Sequence, residues 1–151
     1  MTVWTVITDI LSSPYIIAAA IAWISAQVTK YVVASARAKN FRQFKHLYVS
    51  GNMPSAHSAT VTSLTTMVGL IDGFDSPLFA IALTFAAVVM YDAVMVRRAS
   101  GEQGAALVQL FGELKSKIAL PRVAKGHTPA EVLAGSLLGL VIGLIVFFVI
   151  L

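Results

Sequence analysis

Long apolar runs alternate with short polar segments along this chain, and four of the runs approach the length of a membrane crossing. The first extends from about Pro14 to Ala36 and carries Gln27 and Lys30. The second, from about Ser55 to Ile71, is rich in Thr and Ser. The third, from about Pro77 to Val96, contains Asp92, and the last, Pro129 to Leu151, is almost purely apolar. A helix needs roughly 20 apolar residues to cross a bilayer core, so the pattern predicts four spans. The second is the shortest, and its hydroxyls suit a helix packed inside a bundle better than one facing lipid. Residues 2–11 predict a short interfacial helix. Residues 102–119, EQGAALVQLFGELKSKIA, set apolar positions at helical spacing among Glu113, Lys115 and Lys117. They predict an amphipathic helix lying at the membrane surface. The expected fold is all-α. It is an integral membrane helical bundle of about four transmembrane helices plus an interfacial amphipathic helix, forming a single domain over residues 1–151.

Composition agrees with that picture. Hydrophobic residues make up 58% of the chain and charged residues 12%, about half the charged share of a soluble domain. Mean hydropathy is +0.83. There are no cysteines, which excludes disulfides and thiolate metal sites. The first residues, MTVWTVITDI, lack the basic start and small-residue cleavage site of a signal peptide. No repeat, low-complexity tract or linker interrupts the chain, and nothing points to a nucleic-acid partner.

Charge then orients the bundle. The loop after the first run holds Arg37, Lys39, Arg42 and Lys45. The segment after the third holds Arg97, Arg98, Lys115, Lys117, Arg122 and Lys125. With Lys30 these are all 11 basic residues. Four spans put both loops on one side, while the opposite turn, IDGFDSP, has two Asp and no cation. The positive-inside rule assigns the basic side to the cytoplasm of a multi-pass cell-membrane protein.

Two motifs open apolar runs on that basic side: SGNMPSAHSAT at residues 50–60 and GHTPAEVLAG at residues 126–135. His57 and His127 stand at the mouths of two helices that run in the same direction. Helix N-termini present unpaired N–H groups and a positive dipole end, which bind phosphate. Lys30 and Arg37, seven apart on one helix face, and Arg97 and Arg98 add cations. The sum is an anion pocket at the membrane surface with two imidazoles in it.

Plainer readings apply to each part. Thr128, Pro129 and Glu131 fit N-cap, N1 and N3 of a capping box. Ser55 fits an N-cap, with His57 an interfacial histidine. The basic loops serve as topology signals or contacts to anionic lipid. Asp92, costly inside an apolar helix, is either a functional polar site or the partner of a nearby Arg. His46 reads as a solvated loop residue, and Ala134, Gly135, Ser136 and Gly139 as a close-packing seam.

The same residues resemble the type 2 phosphatidic acid phosphatase superfamily, which includes lipid phosphatases, bacterial acid phosphatases and vanadium haloperoxidases. Its motifs are K-x6-R-P, P-S-G-H and S-R-x5-H-x3-D. This chain has Lys30-YVVASA-Arg37-Ala38, Pro54-Ser55-Ala56-His57 and Pro121-Arg122-VAKG-His127-TPA-Glu131, in that order. The resemblance covers roughly residues 30–139. It departs from the pattern where Ala38 stands for Pro, Ala56 for Gly, Pro121 for Ser and Glu131 for Asp, and where the Arg122–His127 gap is one residue short. There are also fewer spans than the six common in membrane members. The chain is most similar to a divergent, short bacterial branch.

The resemblance implies a membrane lipid-phosphate phosphatase, a hydrolase of a phosphomonoester or diphosphate that needs no metal or other cofactor. It implies His127 as the nucleophile forming a phosphohistidine, Glu131 as its carboxylate partner and His57 as general acid then base. Lys30, Arg37, Arg122 and the N–H groups near Ser55 would hold the phosphate, with Arg97 and Arg98 as an alternative source of those contacts. Phosphatidate, phosphatidylglycerol phosphate and polyprenyl phosphates all suit such a site. Three rivals stay open. They are a non-catalytic lipid-phosphate binder or transporter on the same scaffold, a metal-dependent hydrolase using His57, His127, Asp92 and Glu131, and a structural protein whose cations only set topology.

Overall fold

The computed structural model describes residues 2–38, 53–115, 118–120, 123 and 125–150, without the side chain of Arg37. Among them are five helices: α1 (Val3–Ser12), α2 (Pro14–Ala38), α3 (Ala56–Asp72), α4 (Pro77–Glu113) and α5 (Pro129–Ile150). Helix α4 is continuous through a π-helical turn at Asp92–Val96. Three helices, α2, α4 and α5, are long and apolar enough to cross a membrane. Helix α3, at 17 residues, is shorter.

Helix α3 is nevertheless the centre of the bundle, packed by α2, α4 and α5. From Ser58 to Ile71 none of its residues is exposed, which explains its composition. Small hydroxyl side chains let neighbouring backbones approach and then satisfy themselves against carbonyls. The Thr60 and Thr66 hydroxyls donate to the carbonyls one turn back, both at 2.8 Å. The Ser63 hydroxyl donates to the Ala18 carbonyl of α2 at 3.2 Å, and that of Thr65 to the Ala82 carbonyl of α4 at 3.2 Å. On α2 the matching surface is Ala18, Ala22 and Ala26, all fully buried at four-residue spacing.

The seam between α3 and α5 is closer still. A methyl group at Gly135 would strike the Ser55 carbonyl, and one at Gly139 the Ala59 carbonyl. At Gly143 it would lie 2.9 Å from the Thr66 Cβ. Glycine at every fourth position therefore lets α5 lie directly on the backbone of α3. Because both numbers rise together along the seam, the two helices are parallel, and their N-termini share one end of the bundle. At the other end the Tyr15 hydroxyl donates to Asp72 at 2.7 Å. There Gly73, at φ 93, turns the chain toward the Ser76 N-cap and Pro77 of α4.

One expectation about element boundaries changes. Residues 102–119 do not form a separate helix, since Arg97–Glu113 continues the third span and ends at Leu114. No residue strong enough to break a helix separates the apolar half from the polar half. The pattern shifts because the helix leaves the apolar layer. At about 1.5 Å per residue α4 is about 55 Å long, well beyond a hydrocarbon core of about 30 Å. Helix α1 does form, with no buried residue, as the short apolar N-terminal segment suggested.

Candidate functional site

The α5 start carries the most specific geometry. His127 is 6% exposed, and its Nδ1 lies 3.1 Å from Glu131 Oε2. The same carboxylate oxygen accepts the Thr128 backbone N–H at 3.0 Å, while the Thr128 hydroxyl accepts the Glu131 N–H at 3.3 Å. Glu131 thus completes the capping box and holds the imidazole at once, so the two readings of the motif coexist. A carboxylate only accepts hydrogen bonds, so this contact puts the ring proton on Nδ1 and leaves Nε2 as the free lone pair.

A second histidine stands at the start of α3. Here Ser55 acts as the N-cap: its hydroxyl accepts the Ser58 N–H at 3.4 Å and the Ser58 hydroxyl at 3.0 Å. The Ser55 N–H donates to the Glu131 carbonyl at 3.0 Å, tying the two helix starts together. Ser55 is fully buried, so its side chain is used structurally. The amides of Ala56 and His57 remain as first-turn donors without a partner among the described residues. His57 is exposed and lies within electrostatic reach of Arg97, His127, Lys30 and Asp92. Lys30, 6% exposed, continues the Ala18–Ala22–Ala26 stripe and feels the charge of Glu131.

The fourth wall is the π-helical turn of α4. In an α-helix, residues five apart lie about 140° from one another. The wider π turn, closed by an Arg97 N–H bond to the Asp92 carbonyl, brings them onto one side. The Asp92 carboxylate and Arg97 guanidinium form an ion pair there, so Asp92 is the partner of a nearby arginine. Arg98 pairs with Glu102 at 3.1 Å on the exposed surface. The π turn also redirects backbone. The Ala93 carbonyl accepts the His127 backbone N–H at 3.0 Å. Gly126 sits so close to the Arg97–Arg98 backbone that a side chain there would collide with it. Farther along α4, Gly104 faces Val123. Val123, Gly126 and the His127 backbone are therefore held against α4.

Lys30, His57, Asp92, Arg97, His127 and Glu131 thus share one end of the bundle. Arg98 is turned to its own carboxylate. The Arg37 backbone lies in α2, but its side chain, like all of Arg122 and His46, lies outside the described residues. Among the described residues no three His, Asp or Glu converge as metal ligands. Ala93 and Gly126 escaped the sequence reading because they act through backbone. The GH pair before the last apolar run is the one signal that points to Gly126.

These features define a small all-α integral membrane protein with two histidines at paired helix N-termini. The chain belongs to the Divergent PAP2 family, whose pattern matches residues 11–142. It is also 37% identical over 114 residues to "Uncharacterized membrane protein YuiD" of Bacillus subtilis (strain 168), a match covering 66% of this chain and 72% of that protein. No solved structure matches it.

Proposed function

We propose that the protein hydrolyses the phosphate of a membrane lipid through a phosphohistidine on His127. The observation that carries this reading is the 3.1 Å contact between His127 Nδ1 and Glu131, which leaves Nε2 as the nucleophile. In the first step Nε2 attacks phosphorus, the bond to the leaving oxygen breaks, and His57 gives that oxygen its proton. In the second, water attacks phosphorus, His57 takes its proton, and the N–P bond breaks to release inorganic phosphate. Lys30, Arg97 and the α3 first-turn amides stabilise charge on the phosphoryl oxygens. Arg37 and Arg122 are assigned to the same task by their places in the family motifs. No metal or other cofactor enters this route. Helix α3 completes the crossing as a fourth, lipid-shielded span, and the basic side faces the cytoplasm. Phosphatidate, phosphatidylglycerol phosphate and polyprenyl phosphates are the substrate classes that fit an anion pocket at the membrane surface.

A lipid-phosphate binder on the same scaffold draws support from one feature, the engagement of Arg97 and Arg98 by carboxylates. Phosphate release from detergent-solubilised protein, with and without EDTA and beside His127→Ala, separates the readings. The hydrolase gives EDTA-resistant release that vanishes in the variant, and His57→Ala lowers it about 10²–10⁴-fold. Release that EDTA abolishes overturns the metal-free route, and binding with no release from any lipid leaves the binder.

A further inference from the structure

Helix α4 carries two ion pairs in succession, and they are built differently. Arg98 and Glu102 are four apart, the spacing that a regular helix offers, and they pair on the exposed surface. Arg97 and Asp92 are five apart, a spacing that only the wider π turn brings together. This second pair borders the histidine site. The Ala93 carbonyl, next to Asp92, accepts the His127 N–H. Gly126 lies on the Arg97–Arg98 backbone, and the charges of Arg97 and Asp92 both act on His57.

A carboxylate in an otherwise apolar run is costly, and burial does not explain it. The Asp92 side chain is 34% exposed and that of Arg97 56%. Exposed pairs hold by a factor of about five or less. Water reaches both partners, so parting them strands neither charge, whereas parting a buried pair leaves one uncompensated. A phosphate monoester offers the guanidinium more than the carboxylate does, since it brings a second negative charge and further acceptor oxygens. Asp92 is tethered to the same helix, so its effective concentration beside Arg97 stays high. It recaptures the arginine whenever no stronger anion is present.

Building on the reading of the histidine site as a phosphate site, we infer that Asp92 is an internal competitor of the phosphate. It holds Arg97 in the empty site, yields it to the entering phosphoryl group and takes it back when inorganic phosphate leaves. Asp92 acts through Arg97 and is a positioning residue. It sets how tightly the site keeps its product, which Lys30, Arg97 and the α3 amides together would otherwise retain.

The test reads binding and does not depend on turnover. Inorganic phosphate is titrated by calorimetry into the detergent-solubilised wild type, Asp92→Asn, Asp92→Ala, Arg97→Gln and Asp92→Asn/Arg97→Gln. Glu102→Gln, which frees the other arginine, controls for net charge. Both single Asp92 variants should bind phosphate about two- to fivefold more tightly, the strength of an exposed pair. Arg97→Gln should bind it at least about fivefold more weakly, as the loss of a hydrogen bond to a charged group requires. In the Arg97→Gln background the gain from Asp92→Asn should fall below about 1.5-fold, and Glu102→Gln should match wild type. A gain that persists without Arg97 is plain charge repulsion and overturns the inference. So does an equal gain in Glu102→Gln, or no gain in either Asp92 variant. A melting temperature lowered by more than a few degrees in both Asp92 variants overturns it too, because the pair is then a strut of the helix. The expected binding pattern without phosphate release from any lipid keeps the exchange and removes the phosphatase reading. Release from lipid by a protein whose Asp92 variants bind phosphate like wild type removes the exchange alone.

Discussion

Glu131 is the residue on which most depends, because one oxygen serves two donors. As a cap it satisfies the Thr128 N–H, and as an orienter it holds His127 Nδ1. The two roles separate by substitution. Thr128→Ala removes the reciprocal half of the capping box and should lower stability by about 1 kcal/mol, with turnover reduced far less. Glu131→Gln keeps an acceptor of the same reach for the backbone N–H but removes the negative charge that stabilises a reacting imidazole. It should leave the melting temperature within a few degrees of wild type and lower kcat about 10²–10⁴-fold. Paired melting and phosphate-release curves for the two variants check this. If Glu131→Gln behaves like Thr128→Ala, the carboxylate is a cap and nothing more.

At the scale of elements, the π turn of α4 is a device that the sequence hides. Apolar runs, Pro at helix starts and the hydroxyl content of α3 were all readable, since each follows from local chemistry. The four-residue glycine spacing on α5 likewise announced close packing, and Gly135 and Gly139 do rest on the α3 backbone. One extra residue in a helix turn leaves no such mark. DAVMV is apolar around most of its circumference, so its periodicity does not register whether five residues or four close the turn. For the same reason Arg97 and Arg98 looked like the end of a helix when they mark only its exit from the apolar layer. The turn's consequence is nonetheless specific, since it aligns Asp92 with Arg97 and offers the Ala93 carbonyl to His127. Deleting Val94 should restore a regular α-helix, in which the Ala93 carbonyl is taken up by a helical N–H one turn on and is lost to His127. The protein should still insert and purify as a folded species, with phosphate release at least about 100-fold lower, the scale of loss that about 1 Å of misplacement produces. Near-normal turnover in the deletion would mean that the His127 segment is held by other contacts. The glycine seam makes a complementary prediction. Gly139→Leu forces α5 off the Ala59 carbonyl, and overpacking of this kind costs about 1–3 kcal/mol, readable as a lowered melting temperature in detergent. Because both histidines belong to the two helices that this seam joins, turnover should fall with it.

For the molecule as a whole, the decisive quantity is which face of the membrane the histidines meet. Parallel α3 and α5 put His57 and His127 on the side where Arg37, Arg97, Arg98 and Lys125 also lie, and Asp72 and Asp75 on the other. The positive-inside rule, which counts Lys and Arg, predicts that this end faces the cytoplasm. Yet the same cations form the proposed phosphate pocket, so charge alone counts them twice. The chain has no cysteine, which makes an independent reading direct. Asp75→Cys and Glu113→Cys each introduce a single thiol, at opposite ends of α4 and its preceding turn. With a membrane-impermeant thiol reagent on intact cells, the Asp75→Cys thiol should react at once and the Glu113→Cys thiol only after permeabilisation. That outcome would tie the proposed hydrolase to phosphates presented on the inner leaflet. The reverse labelling would turn the pocket outward. The arginines would then be retained for binding phosphate against the topological rule, and the substrates to try first would be those already carried to the outer leaflet.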